Sequence, residues 1–273
     1  GTQDNPSIAS DSGGNFIVVW TSSGQDGSDL GVFGQRFDAS GARLGGEFRV
    51  NEATLGAQRS PSIAARSGEF VVAWATDVGE DVFARRFDTS GAPLGGEFPV
   101  NTYATGSATA PAVAIDGTGD FVVVWDWFNL TESRIRGQLF GAGGTPRGSE
   151  FLVDAGTAPA AESRVSRGSF GTFVVAWTSG GPITTGGDIV ARRFDPNGSP
   201  LGGEFLVNAF TTGRQSRPDV GVDPLGNFMA VWDSQDQDGD LLGVFGRRFD
   251  TTSAVGPEFR VNTYTTGDQQ RPA

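Results

Sequence analysis

Hydrophobic residues fall in short runs that end in tryptophan and are separated by polar, glycine-rich stretches. One run, Gly14–Trp20 (Gly-Asn-Phe-Ile-Val-Val-Trp), has four further copies. The five tryptophans that close the runs follow one another at steps of 54, 51, 52 and 55 residues: Trp20, Trp74, Trp125, Trp177 and Trp232. A fixed period near 50 residues is typical of repeat architectures. Because the runs do not alternate, they predict strands that are covered on both faces.

Each repeat contains four short segments with the character of β-strands. In the first repeat these are Pro6–Ala9, Phe16–Trp20, Val32–Phe37 and Glu47–Asn51. The connections between them are rich in glycine, aspartate and serine, the residues that favour tight turns. No segment shows the 3.6-residue apolar period of a helix. The sequence therefore predicts an all-β chain.

Four strands per period, with an unalternating second strand, favour a five-bladed β-propeller with four antiparallel strands per blade. We expect a single domain over residues 1–273, with blades near residues 6–51, 61–101, 111–154, 163–208 and 218–262. The same Gln-x-x-Pro link stands at both ends, as Gln3–Pro6 and Gln269–Pro272. One full turn of a closed ring would produce this match, and so would an open piece of a longer array.

Composition limits the chemistry of the chain. Its net charge is −12, from 20 basic and 32 acidic residues, which argues against nucleic acid or an anionic membrane as partner. All the basic residues are arginine, and the chain has no lysine, histidine or cysteine. Schiff-base, thiolate and histidine chemistry are thereby excluded. No apolar run approaches the ~18 residues of a membrane span.

The repeat as a whole resembles a known family. Its most specific parts are Asn262–Gln269 (Asn-Thr-Tyr-Thr-Thr-Gly-Asp-Gln) and Gly246–Asp250 (Gly-Arg-Arg-Phe-Asp). With the Gly-x-Phe-Val-Val-Val-Trp run, they resemble a bacterial repeat of very large secreted and surface proteins, often found beside calcium-binding RTX repeats. The resemblance implies a secreted or cell-surface location and transfers no catalytic residue. The chain begins at Gly1 without a signal-peptide pattern, so we expect a processed product or a piece of something larger.

The aromatic residues allow two interpretations. The five tryptophans that end the apolar runs are expected to pack between blades, although they could also serve as platforms for sugar stacking. Trp127 and Phe128 differ because they stand in a predicted loop of one repeat only. They are candidates for a ligand platform or for a cluster local to that loop.

Charged residues recur at fixed places in the repeat. Arginines of the third strand (Arg36, Arg86, Arg193 and Arg248) and glutamates of the fourth (Glu47, Glu97, Glu150, Glu204 and Glu258) are expected to form cross-strand ion pairs. The aspartates that follow the third strand are expected to cap turns: Asp38, Asp88, Asp195 and Asp250. One glutamate per blade on an outer strand cannot converge into a single catalytic site.

One loop has the spacing of a calcium site. Asp236, Asp238 and Asp240 alternate along it, and alternate carboxylates can wrap one hard cation. The terminal glutamate of a complete calcium loop is missing. Calcium is therefore a candidate cofactor, against the alternative of a solvated acidic loop.

Recurring polar residues in the links between blades are the best candidates for ligand contacts. They are Gln58, Gln215 and Gln269, with Arg59, Arg217 and Arg271 beside them. Glutamine offers both a donor and an acceptor, and arginine a planar fork, which suit sugar hydroxyls or acidic sugars. The alternative is that these side chains pin the links by bonding backbone carbonyls.

Three functions follow from this reading. The first is an extracellular module that binds glycans or surface proteins, and the second is a structural spacer in an extracellular assembly. The third is a glycoside hydrolase, since five-bladed propellers host such enzymes with carboxylates alone. Near-identical repeats count against the third, because one active site needs different blades in different roles. The sequence therefore predicts a binding module without enzyme activity.

Overall fold

The computed structural model describes residues 1–102, 105–156, 158–180 and 187–272. Within these residues the chain forms twenty strands and no helix. The strands are β1 (Gln3–Ser10), β2 (Phe16–Ser23), β3 (Leu30–Phe37), β4 (Phe48–Arg49), β5 (Gln58–Arg66), β6 (Glu69–Thr76), β7 (Val82–Asp88), β8 (Phe98–Pro99), β9 (Ser107–Ile115), β10 (Phe121–Phe128), β11 (Ser133–Phe140), β12 (Pro146–Leu152), β13 (Ala160–Arg167), β14 (Phe173–Ser179), β15 (Asp188–Phe194), β16 (Phe205–Leu206), β17 (Gln215–Val222), β18 (Phe228–Gln235), β19 (Leu242–Phe249) and β20 (Ala254–Arg260).

The strands form five sheets, each of four consecutive strands in sequence order. Neighbouring strands pair antiparallel, as β1 with β2 and β2 with β3. This is the five-bladed β-propeller fold that the repeat predicts. By its internal contacts the chain divides into two compact units, Gly1–Leu130 with Gln138–Glu150, and Thr131–Gly137 with Phe151–Ala273.

The first strand of each blade is longer than the sequence suggests and carries a bulge. Pro6 lies inside β1 and not at its entry, and the register shifts there between Asp4 and Ser7. A bulge removes the ladder hydrogen bond that proline cannot donate. The residue at the bulge adopts a left-handed backbone conformation in every blade: Asn5, Ser60, Ala110, Glu162 and Arg217. These first strands, together with the polar links that precede them, bring different side chains to equivalent places.

Successive blades within a unit are held by a phenylalanine wedge. A stacked pair of rings in one blade receives the fourth-strand phenylalanine of the blade before it. Phe70 and Phe87 stack with centroids 5.0 Å apart, and Phe48 tilts against both. Phe98 meets Phe121 and Phe140 in the same way, as do Phe151 with Phe173 and Phe194, and Phe205 with Phe228 and Phe249.

The second strands are buried on both faces, as the unalternating runs predict. Val72 and Trp74 share a core with Ile17 and Val19 of the preceding blade, whereas Val71 and Ala73 pack towards the following one. The tryptophans of the last four blades are fully buried: Trp74, Trp125, Trp177 and Trp232. Trp74, Trp125 and Trp232 belong to cores shared with the preceding blade, which confirms their packing between blades.

The recurring arginines and glutamates are placed differently from the expected cross-strand pairs. Glu97 accepts hydrogen bonds from the backbone N–H groups of Glu52 and Ala53, in the link that follows the preceding blade. Arg86 forms its ion pair with Glu69 of its own blade, at 2.6 Å. The fourth-strand glutamate therefore connects its blade to the preceding one, where a cross-strand ion pair within its own blade was expected.

The turn aspartates cap as predicted. Asp38 Oδ1 accepts hydrogen bonds from the backbone N–H groups of Ser40 and Ala42, and Asp88 repeats this with Ser90 and Ala92. In Asp250, bonds from the Thr252 hydroxyl and from backbone N–H groups lower the carboxyl pKa to about 2. Such bonds favour the charged form of the acid.

Candidate functional site

The first strands of the second unit carry a cluster of acids and arginines that other blades lack. Glu162 on β13 and Arg217 on β17 occupy equivalent bulge positions, where Ser60 and Ala110 stand in other blades. Their φ angles are 59° and 52°. Left-handed backbone is costly for residues with a side chain, and such strain concentrates at functional sites. All five blades share this backbone, but only Glu162 and Arg217 place a charged side chain there, and they therefore mark a candidate site.

Glu162 is the acceptor at the centre of the cluster. Its Oε2 accepts hydrogen bonds from the Arg217 backbone N–H at 2.8 Å and from the Thr178 hydroxyl at 2.7 Å. Its Oε1 lies 3.8 Å from an Arg214 guanidinium nitrogen. Because the carboxylate is only half-buried, part of it can meet a ligand.

Asp233 holds the Arg217 side chain in place. It is fully buried, and its Oδ2 accepts a hydrogen bond from Arg217 Nε at 2.5 Å. Its other oxygen accepts the Arg271 backbone N–H at 2.9 Å. Burial raises the pKa of this carboxyl, and the hydrogen bond from Arg217 opposes the rise. Asp233 therefore acts on the position of Arg217.

A second carboxyl with a raised pKa lies two residues beyond Arg217. Asp219 is on β17, and burial raises its pKa, against a smaller opposing effect of the Arg164 charge. Its exposure is intermediate, in contrast to that of Asp233. A half-buried acid whose pKa is raised is a candidate proton donor.

The three glutamines of the links bond to their own surroundings. Gln58 and Gln215 begin strands β5 and β17 and are buried. The amide nitrogen of Gln58 donates to the Leu55 and Gly56 carbonyls, and its oxygen accepts from Asn51. Gln269 repeats all three bonds, with Thr266, Gly267 and Asn262. Their contact with a ligand stays a prediction, and the geometry favours the pinning of the links.

The three arginines of the links do not occupy one repeated position. Arg59 stands two residues before the proline of its strand, whereas Arg217 and Arg271 stand directly before theirs. Arg59 and Arg271 have exposed side chains, and Arg217 is half-buried, with a bond from its guanidinium to Gln270 at 2.7 Å. Of the three, only Arg217 touches Glu162, through its backbone N–H, while its side chain bonds Asp233 and Gln270.

Trp127 is not a loop residue. It lies in β10, is 3% exposed and belongs to the core of the first unit. Its indole N–H donates to the Thr105 carbonyl at 2.8 Å. The ring as placed offers no open face for stacking, and the neighbouring Phe128 is the exposed one of the two.

The three carboxylates of the candidate calcium loop are not drawn together. Asp238 accepts a hydrogen bond from Asn262 at 3.3 Å, and Asp240 accepts the backbone N–H of Gly267 at 3.0 Å. Among the described residues no group of three His, Cys, Asp or Glu side chains is arranged to hold a metal ion. Asp236 has a left-handed backbone, with φ 61°. The donor set therefore does not fit calcium in this conformation, and calcium binding stays a prediction.

Comparisons with known proteins agree on the fold. No family model and no curated protein matches the chain. Among solved structures, a protein of unknown function from Dyadobacter fermentans is similar with a TM-score of 0.66 at 13% identity, over 96% of this chain and 83% of that one. The α-L-arabinanase of Penicillium chrysogenum, solved with arabinobiose, is similar with a TM-score of 0.64 at 13% identity. The match covers 95% of this chain and 80% of that one. A thermostable family-43 glycoside hydrolase is similar with a TM-score of 0.53 at 11% identity. The match covers 100% of this chain and 97% of that one.

These structures correct the expectation that the chain has no enzyme activity. Glycoside hydrolases share its fold, so the fold gives no reason to exclude catalysis. Near-identical repeats were expected to count against a single active site, but the blades differ at the bulges of their first strands. Glu162 stands at the bulge of one blade only, where the other blades have Asn5, Ser60, Ala110 and Arg217, while the wedges and caps recur. None of the described residues forms a helix that could span a membrane.

Proposed function

We propose that this protein acts on glycans as a glycoside hydrolase, with its site at Glu162, Asp219 and Arg217. The observation that carries the proposal is that two acids in different surroundings stand on the neighbouring first strands β13 and β17. Glu162 is a half-buried carboxylate among donors, and Asp219 is a carboxyl whose pKa is raised by burial. Glycoside hydrolysis needs such a pair, one acid kept protonated and one ionised.

The two acids receive different roles from their surroundings. Asp219 is suited to protonate the oxygen of the leaving sugar, because burial raises its pKa and so makes its neutral form more accessible than in a free aspartate. Glu162 is suited to act as base or nucleophile, because the Thr178 hydroxyl and the Arg217 N–H orient its oxygen. Arg214 and Arg217 supply donors for sugar hydroxyls or for an acidic sugar.

The composition of the chain agrees with this chemistry. Glycoside hydrolysis by two carboxyl groups needs neither histidine nor cysteine nor lysine, all of which the chain lacks. We propose an extracellular site of action, supported by the resemblance to repeats of secreted and surface proteins. Glycan chains are abundant there, and the partner of the site is then a polysaccharide.

A polysaccharide panel tests the proposal. The purified protein is incubated with arabinans, xylans and acidic polysaccharides, and released sugars are measured at their reducing ends and by mass spectrometry. We expect hydrolysis of at least one member. Asp219→Asn and Glu162→Gln should each lower kcat/KM by about 100-fold or more, since one acid or base contributes that much.

Matched controls separate catalysis from folding. Asp29→Asn and Glu132→Gln change the same atoms at exposed positions outside the cluster and should keep full activity. All four variants should melt as cooperatively as the wild type by circular dichroism. Full activity in Asp219→Asn and Glu162→Gln, or glycan binding on an array without any hydrolysis, would refute the proposal.

A further inference from the structure

The link into β17 carries an arginine that the other blades lack. Arg214 directly precedes that strand, and its carbonyl accepts the backbone N–H of Gln235 at 2.9 Å. Strand pairing aligns its position with uncharged residues in the three preceding blades: Ala57, Ser107 and Pro159. Those blades form the same kind of sheet without a charge there. The repeat itself therefore does not require Arg214.

The guanidinium group of Arg214 makes no hydrogen bond within the described residues. Its Nε is buried without a partner, and its ion pair with Glu162 Oε1 spans 3.8 Å, which is longer than a hydrogen bond. An arginine presents five N–H donors in a planar fork. Leaving charged donors unbonded is costly, and an anionic ligand that reaches the fork recovers that free energy. Arg214 is therefore a candidate anion contact beside the Glu162 carboxylate.

Arg217 presents a second fork, which is held in one orientation. Asp233 Oδ2 accepts its Nε–H at 2.5 Å, and Gln270 Oε1 accepts from Nη2 at 2.7 Å. Its Nη1 makes no bond among the described residues, so the end of the fork is left for a ligand. The pKa of Asp233 is raised first by burial and further by the charge of Glu162, so the two acids and this fork belong to one cluster.

The charges of the cluster favour an anion. Asp219 is the acid that holds its proton in the proposed mechanism, and Arg164 lies close enough to act on it. Three arginines then face two ionised acids: Arg164, Arg214 and Arg217 against Glu162 and Asp233. Asp233 is fully buried, so a ligand does not meet it directly. The local excess of positive charge attracts a negative group on the ligand.

We propose that the glycan of this site carries a uronic acid, whose carboxylate is bound by Arg214 and by the free end of the Arg217 fork. The inference rests on the proposed function, which places the sugar at Glu162 and Asp219. Arginine matches a planar carboxylate with two parallel N–H···O bonds. A neutral sugar has a CH2OH group in place of that carboxylate and offers the same donors a weaker, uncharged acceptor.

The net charge of −12 limits the form of this substrate. A long polyanion is bound along a track of basic residues, and the excess of acids argues against such a track. One uronate is a local contact, because exposed charges more than ~10 Å apart are largely screened at ~0.1 M salt. Short uronate oligosaccharides are therefore the suitable probes.

A matched pair of ligands tests the charge directly. Short uronate oligosaccharides from glucuronoxylan, polygalacturonate and alginate are compared with their carboxyl-reduced forms, in which each carboxylate is replaced by CH2OH. Calorimetry gives the dissociation constant, and KM replaces it where a probe is cleaved. We expect the wild type to bind at least one uronate about tenfold or more tightly than its reduced form, because a charged acceptor strengthens each hydrogen bond.

Variants of Arg214 assign the contact. Arg214→Gln should abolish the preference for the uronate and leave the affinity for the reduced form unchanged. Arg214→Lys keeps the charge without the fork and should retain part of the preference. Arg43→Gln, at an exposed turn of the first blade, is the matched control and should behave as the wild type. Since the Arg214 guanidinium bonds to none of the described residues, its variants should melt like the wild type.

Two results separate this inference from the proposed hydrolysis. Cleavage of a neutral glycan, without a preference for any uronate over its reduced form, would overturn the inference and leave the hydrolase in place. A uronate preference that disappears in Arg214→Gln, without cleavage of any probe, would support the uronate contact and contradict the hydrolase. No binding of any uronate, or a preference that survives Arg214→Gln unchanged, would overturn the inference as well.

Discussion

The backbone N–H of Arg217 donates to Oε2 of Glu162 across 2.8 Å, and both residues hold left-handed backbone angles at bulges of neighbouring strands. The bond fixes the carboxylate of one blade against the backbone of the next. It does so at a position where the other described blades have small or polar residues that lack this contact. A repeated bulge thus provides a rigid frame on which single blades place different chemistry.

The first prediction concerns the buried support of that frame. Asp233→Ala should lower the free energy of unfolding at pH 7 by about 1–3 kcal/mol, because the Arg217 guanidinium and the Arg271 N–H lose a buried acceptor. Urea denaturation followed by tryptophan fluorescence measures the change. Asp268→Ala, at an exposed position, should leave the midpoint in place. An unchanged midpoint in Asp233→Ala would show that the pair contributes nothing.

The second prediction concerns Asp219 and has the opposite sign. Because burial raises its pKa, the folded state binds the proton more tightly than the unfolded state, whose value is near 3.8. Stability therefore falls as the pH rises from 3.8 through the raised value, and the cost is fully present above it. Asp219→Asn, which carries no charge, should melt at a higher temperature than the wild type at pH 7 while losing activity.

The pH series decides whether this reasoning holds. Melting temperatures of the wild type and of Asp219→Asn should converge below pH 3.8, where the native carboxyl is protonated. A difference of the same size at every pH would show that packing, and not charge burial, separates the two proteins. A stabilising change that removes activity is the expected signature of a functional acid.

Much of the fold follows from the sequence, because the repeat shows its periods directly. The apolar runs from Phe16 to Trp20 and their copies predict double-sided burial, and the turn aspartates predict caps such as Asp38. Strand ends are less well defined by the pattern: β2 continues to Ser23, and β5 begins as early as Gln58. Polar residues in these extensions pair in the ladder, and hydrophobic periodicity gives no signal for them.

The candidate site was missed for a related reason. Residues that recur, such as Gln58 and Gln215, stand out in the sequence, and their side chains are bonded within the links and to Trp232. Glu162 recurs in no other blade, and Asp233 recurs only as Asp126, so the fold is what brings both to Arg217. One signal was present in the sequence: Glu162 and Ser163 replace the residues around the entry proline in the fourth repeat alone. Departures from a repeat are therefore the better guide to chemistry.

The third prediction compares two phenylalanines at equivalent places. Phe205→Ala removes a ring packed against Phe228 and Phe249 and should lower the free energy of unfolding by about 2–4 kcal/mol. Phe259→Ala should cost less than about 1 kcal/mol in dilute solution, because the ring is already partly in water. Chemical denaturation at low protein concentration measures both. Equal costs would show that Phe259 is packed in solution as Phe205 is.

The last prediction concerns acid stability at the turn after β19. The Asp250 carboxylate accepts bonds from the Thr252 hydroxyl and from the N–H groups of Thr252 and Ser253, which lower its pKa from 3.8 to about 2. Since the folded value is depressed, the stabilisation is fully present above pH 3.8 and disappears as the pH falls through about 2. Asp250→Asn keeps the shape but loses the charge-assisted bonds, so it should melt below the wild type at pH 7 and match it near pH 2. Asp29→Asn, at an exposed loop position, should track the wild type throughout. If the Asp250→Asn deficit persisted unchanged at pH 2, the cap would owe its effect to shape and not to charge.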